Sequence, residues 1–195
     1  MSQIPSRPPS RGLEGKVAIV TGAGCAGEGV GNGRAIAIML TNEGCNVLCL
    51  DLNLAWAQKT ADMAVMGSQK ARALPLKSDV TKAADCAAAV EIALKEFGRL
   101  DILVNNVGIG GAAGTAVDVD MEAWAKGLEI NVSSMVQMAK YCIPAMQKNV
   151  GEVSGSIVNM GSVAGLKGGA VASTSSVPKL KGDNRWNAAL TLPNK

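Results

Sequence analysis

Val17-Ala18-Ile19-Val20-Thr21-Gly22-Ala23-Gly24-Cys25-Ala26-Gly27-Glu28-Gly29-Val30-Gly31-Asn32-Gly33-Arg34-Ala35 is the stretch that decides the fold. Val17 to Val20 is a continuous apolar run, as expected of a strand covered on both faces. Six glycines follow at once: Gly22, Gly24, Gly27, Gly29, Gly31 and Gly33. Arg34 to Glu43 then has helical spacing, with Ile36, Met39 and Leu40 on one side, and Gly44 ends it. A strand that passes through glycine into a helix brings bare backbone amides and a helix N-terminus to one place. A pyrophosphate can be held there, because no side chain keeps it away. A merely flexible loop would also be glycine-rich, but its position directly after the first strand favours the phosphate reading.

Outward from this unit the same alternation continues. Val47 to Leu50 reads as a second strand ending at Asp51, and Ala55 to Met66 as a helix. Ala73 to Lys77 is a weaker third strand, placed at an edge by Pro75. Thr81 is the expected cap of a helix to Phe97, in which Ala83, Ala87, Val90, Leu94 and Phe97 share a face. Ile102 to Val104 is a fourth strand, followed by Asn105 and Asn106. Asp120 should cap one long helix from Met121 to about Lys148, and Ser156 to Asn159 is a fifth strand. Strands alternating with helices predict an α/β fold: a doubly wound, Rossmann-like parallel sheet in three layers, strand order 3-2-1-4-5. Ligands of such a sheet lie at the carboxyl ends of its strands.

Composition narrows the function. The chain has 195 residues, enough for one domain, with residues 1–14 read as a Pro/Ser/Arg-rich disordered leader, 15–178 as the dinucleotide-binding domain and 179–195 as a divergent tail. It has 19 basic against 16 acidic residues, a net charge of +3, which does not suggest a nucleic-acid partner. With no histidine, Ser-His-Asp catalysis and His-ligated metal are excluded, and no metal site is expected. No apolar run reaches the length of a membrane span. Cys25, Cys45, Cys49, Cys86 and Cys142 form no C-x-x-C pair and read as buried thiols of a reducing, cytoplasmic compartment.

Asp51 closes the second strand, where a carboxylate can accept both hydroxyls of an adenine ribose and would repel a 2′-phosphate. Leu52, Asn53 and Leu54 after it include no basic residue. NAD is therefore the expected cofactor, in preference to NADP. A polar strand-end residue or helix cap would look the same in isolation.

From about Gly12 to Gly169 the chain resembles the short-chain dehydrogenases/reductases, the 3-oxoacyl-reductase-like members above all. Thr21-Gly22-Ala23-Gly24 followed by Gly31-Asn32-Gly33 resembles the family's T-G-x-x-x-G-x-G with five residues inserted. Ser78-Asp79-Val80-Thr81 resembles its adenine-contacting segment, and Asn105-Asn106-Val107-Gly108 its N-N-A-G, which braces the sheet and lines the cofactor site. Asn131 matches the position of the catalytic Asn. Val158-Asn159-Met160-Gly161-Ser162 resembles N-I-S-S, whose second serine, here Ser162, orients the substrate carbonyl. The resemblance implies oxidoreduction of an alcohol/carbonyl pair on a small molecule, and a homo-oligomer.

The resemblance departs at its catalytic Tyr-x-x-x-Lys. Lys179 stands where the lysine that holds the nicotinamide ribose belongs, but Ser175 stands at the tyrosine. A serine hydroxyl is a far weaker acid than a phenol of pKa about 10. Pro178 also disfavours a helix carrying both side chains. The resemblance thus implies an impaired enzyme or, alternatively, a non-catalytic dinucleotide-binding or assembly protein, C-terminally truncated or divergent. Related chains continue through further strands, so the fifth strand is expected to be an open edge through which the chain self-associates irregularly, or which needs a partner to cover it.

Overall fold

Every residue of β1 (Val17–Thr21) is buried, so this strand lies between two helical layers. The computed structural model describes residues 11–67, 70–114, 117–151, 153–162 and 190–193. The order is β1, α1 (Asn32–Asn42), β2 (Asn46–Asp51), α2 (Leu54–Met66), β3 (Ala73–Lys77), α3 (Ala83–Phe97) and β4 (Ile102–Asn105). Next come α4 (Met121–Leu128), a π-helical turn (Glu129–Ser133), α5 (Ser134–Met146), β5 (Val153–Asn159) and β6 (Leu190–Pro193). The sheet runs β3-β2-β1-β4-β5-β6, and its first five strands are parallel. This is the expected doubly wound, Rossmann-like sheet, with Pro75 in its edge strand.

Alternation along β1 sorts the core. Val17 and Ile19 join Leu48, Leu50, Leu103 and Ile157 on the face covered by α3 and α5, with Ala89, Ala93, Met138 and Cys142. Ala18 and Val20 point the other way, to Val47, Cys49 and Val104 under Ala37 of α1 and Ala61 of α2. Leu13 packs against this second cluster, and the Gly15 amide donates to Gly44 O at 3.0 Å. Residues 11–14 of the expected leader are therefore tied to the domain, and 1–10 lie outside the described residues.

Three expectations are corrected. Thr81 does not cap α3: its amide (3.0 Å) and hydroxyl (2.7 Å) both donate to Asp79 Oδ1, and the cap position falls on Lys82. The long helix after Asp120 is not uniform. Asp120 does cap it, accepting from the Ala123 amide at 2.7 Å, but five residues around Asn131 widen into the π turn. Finally, β5 is not an open edge along its first half. β6 pairs with it antiparallel, Ile157 opposite Leu190 and Ser156 opposite Thr191, with a bulge between Val153 and Gly155. The polarity of the tail as a whole hid this, whereas an antiparallel pair needs only four residues of backbone and tolerates Pro193 at its end. Self-association through that edge loses its basis.

Candidate functional site

Parallel pairing puts Thr21, Asp51, Asn105 and Asn159 at the same carboxyl end of the sheet. Thr21 lies opposite Leu50, Asp51 opposite Lys77, and Asn105 opposite Asn159. β2 and β3 lie on one side of β1 and β4 and β5 on the other, so the strand order reverses and a crevice opens above β1.

Thr21 and Asn106 knot the two sides together. The amides of Asn106 (3.0 Å) and Val107 (3.3 Å) donate to Thr21 Oγ1, whose hydroxyl donates to Val104 O at 3.3 Å. Asn106 Nδ2 donates to Thr21 O at 3.1 Å and Gly22 O at 2.9 Å. Asn105 Nδ2 reaches β5, donating to Asn159 Oδ1 at 2.8 Å. These side chains stand in for sheet hydrogen bonds where the strands part.

The glycine loop rises from this knot. Gly22 has φ +60°, a left-handed conformation that favours glycine. A Cβ on Gly33 would run into Gly22 O, so α1 starts in direct contact with the end of β1. Gly31 precedes α1 without a side-chain cap, and the first helical amide bond is Ala35 N to Gly31 O at 2.9 Å. The preceding amides, those of Asn32, Gly33 and Arg34, are the groups a helix leaves for an anion. Asn32 is exposed beside them.

Asp51 faces this loop. Its Oδ2 accepts from the Gly24 amide and its Oδ1 from the Asn53 amide, both at 2.9 Å. A Cβ on Gly24 would lie 2.6 Å from Asp51 Oδ2 and 2.7 Å from Trp56 Cβ, so only glycine fits between them. Each carboxylate oxygen keeps a further lone pair for a ribose hydroxyl. Leu52 beside it is 65 % exposed. The site therefore fits a dinucleotide: amides for the pyrophosphate and a carboxylate for the ribose.

Asp79 and Val80 lie beyond β3. The Thr81 hydroxyl, helped by Lys82, holds the Asp79 carboxyl below its ordinary range. Val80 is buried, and its carbonyl accepts from Gln137 Nε2 at 3.1 Å. The neighbouring Ser78 hydroxyl is buried with no hydrogen-bond partner among the described residues.

Asn131 is 0 % exposed in the π turn. Its Oδ1 accepts from the Ile109 amide at 2.8 Å, and its Nδ2 donates to Ile109 O at 3.1 Å. The turn thus grips the loop after β4, just beyond Val107 and the exposed Gly108, and π turns recur at functional positions. Ser162 is half-buried, three residues past the end of β5. Ser175 and Lys179 lie outside the described residues. Tyr141, the chain's single tyrosine, packs against the core on α5 and not at the strand ends.

Sequence reasoning missed Arg34, Thr60 and Ile109. Arg34 is 0 % exposed, and its guanidinium sits under the glycine loop. Its position directly after Gly33 was the available signal.

The chain's similarities point the same way. A family model described as short chain dehydrogenase matches residues 16–179. Cyclohexanol dehydrogenase of Acinetobacter sp. (strain SE19) is 35% identical over 159 residues, 82% of this chain and 59% of that protein. A 7 alpha-hydroxysteroid dehydrogenase complexed with NADH and 7-oxo glycochenodeoxycholic acid superposes with TM-score 0.70 at 32% identity, over 86% of this chain and 62% of that one. NAD+-bound xylitol dehydrogenase superposes with TM-score 0.72 at 31% identity, over 87% and 61%. The chain thus spans about 60% of the length of these proteins.

Proposed function

This chain belongs to the short-chain dehydrogenase family, and from that membership we propose that it binds a nicotinamide dinucleotide and serves an alcohol/carbonyl pair on a small molecule. NAD is the proposed cofactor, in preference to NADP. The observation that carries the reading is Asp51: the carboxylate that receives the Gly24 amide at 2.9 Å leaves lone pairs where a ribose would lie. A 2′-phosphate in the same place would meet that charge. Two of the similar structures hold NADH and NAD+.

The cofactor, when bound, would carry the hydride, accepting it from the alcohol or giving it to the carbonyl. The chain's own residues do the rest. Gly22, Gly24, Gly31, Asn32 and Gly33 bring amides to the pyrophosphate, Asp51 and Leu52 take the adenosine ribose, and Asp79 and Val80 take the base. Asn106, Val107 and Gly108 line the nicotinamide side. Ser162 orients the carbonyl oxygen, Asn131 supports the water that relays the proton, and Lys179 holds the second ribose. Ser175 stands where the proton donor belongs. A positioned acid is typically worth about 10²- to 10⁴-fold, and we propose that this factor is missing. The five unpaired cysteines fit a cytoplasmic location. A homo-oligomer is part of the same proposal, with light scattering as its check.

A panel of ketones and secondary alcohols, followed at the nicotinamide absorbance, tests the activity. The expected turnover is far below about 1 per second, the lower end of ordinary enzymes. Faster turnover would show that another group supplies the proton. Binding of NADH with no turnover on any substrate would favour the non-catalytic reading, for which Ser175 is the supporting residue.

A further inference from the structure

Arg34 is a fully buried cation that no carboxylate among the described residues meets in an ion pair, although the exposed Glu28 of the same loop feels its charge. Its side chain is 0 % exposed, and among the described residues no ion pair includes it. A buried charge is costly unless something compensates it. Here the compensation comes from backbone carbonyls. Nη2 donates to Cys25 O at 3.1 Å, Nη1 donates to Gly29 O, and Nε donates to Thr60 Oγ1 at 3.0 Å. The Thr60 hydroxyl in turn donates to Ala23 O at 2.8 Å. One guanidinium and one hydroxyl thus collect three carbonyls from Ala23 to Gly29, the stretch that holds the five-residue insertion.

We propose that Arg34 is the positioning residue of the anion-binding loop, and that the charge it holds in reserve is matched by the pyrophosphate of the bound dinucleotide. This rests on the dinucleotide reading above and adds the device that organises its loop. In a trans peptide the carbonyl of one residue and the amide of the next point in opposite directions. Drawing Cys25 O and Gly29 O onto the guanidinium therefore turns the amides of Ala26 and Val30 away from it. Without Arg34 these carbonyls are free to face the anion and repel it. The planar fork matters as much as the charge, because a lysine ammonium on its single tip cannot hold two carbonyls and a hydroxyl in this geometry. Arg34 itself belongs to the first turn of α1, whose start carries no side-chain cap.

Calorimetric titration with ADP-ribose and with adenosine separates this role from general stability, because only ADP-ribose carries the pyrophosphate. In the full chain, Arg34→Met should lose at least about tenfold in ADP-ribose affinity, the scale of hydrogen bonds to a charged group, while adenosine affinity changes less than about twofold. Arg34→Lys should also fall, by less, and Thr60→Val should fall with it. Should Arg34→Met fail to fold by circular dichroism, the other two variants carry the test. Wild-type chain that binds ADP-ribose, with a folded Arg34→Met or Arg34→Lys that binds it equally well, overturns the proposal alone. Adenosine affinity falling as far as that of ADP-ribose also overturns it. Wild-type chain that binds neither probe overturns the dinucleotide reading and this proposal together.

Discussion

The carboxylate of Asp51, at the end of β2, receives the amide of Gly24, in the loop after β1, at 2.9 Å. One residue thus fixes the glycine loop and, in the proposed function, also presents the negative charge that selects the ribose. These two roles separate on mutation. Asp51→Asn keeps an acceptor for the Gly24 amide but removes the charge. It should bind NADPH more tightly than wild type and lower the ratio of NADH to NADPH affinity about tenfold, the scale of a charge–phosphate contact. Asp51→Ala should relax the preference too, and also lower affinity for both dinucleotides. A ratio left unchanged by Asp51→Asn would mean that the 2′ position is read elsewhere.

Asn131 holds Ile109 by both faces of its amide, at 2.8 and 3.1 Å. Asn131→Ala removes both partners of the part-buried Ile109 N–H and C=O, a cost of about 2–3 kcal/mol. For a domain of this size that is a fall in melting temperature of about 5–10 °C. Thermal melting followed by circular dichroism is the check, and a shift within about 1 °C would mean that the loop after β4 pairs by another route.

The thiols report on the fold and on the loop at once. Burial pushes Cys45, Cys49 and Cys142 up to about 12 and raises Cys86 as well. The thiolate is the reactive form, so at pH 8 these four should be inert in the folded chain. Cys25 is half-exposed in the glycine loop, and its Sγ lies 3.3 Å from the place a Cβ on Gly31 would take. Ellman's reagent should therefore modify one thiol quickly and all five only in denaturant, with NADH slowing the fast one. Two or more fast thiols, or a fast one that survives Cys25→Ser, would contradict the packing described around β2, α3 and α5.

How much of this was legible in the sequence depended on how local each feature is. The strand–glycine–helix unit, the end of β2 at Asp51, the Asp120 cap and the edge position of Pro75 follow from short-range rules, and the structure has them. Features set by distant contacts were hidden. Helical spacing in α1 points to Ile36, Met39 and Leu40, yet Met39 is 57 % exposed and the helix buries Gly33, Arg34, Ala37 and Thr41. The close approach to β1 and α2 selects small residues there, and Arg34 is buried because loop carbonyls, far weaker sequence signals than an acidic partner, receive it. The π turn depends on Asn131 meeting Ile109 across 22 positions of chain. The β6 pairing joins segments with no periodic link, and a short apolar run in a polar tail gives little sign of its partner.

The central claim is that this glycine loop and Asp51 hold NAD(H). The most direct measurement is calorimetric titration of the full chain with NADH and, separately, with NADPH at the same salt concentration. NADH should bind with one site per chain, at least about tenfold more tightly than NADPH, as expected where a 2′-phosphate faces a carboxylate. NADPH binding as tightly as NADH or more so, or no heat from either dinucleotide, would contradict the account.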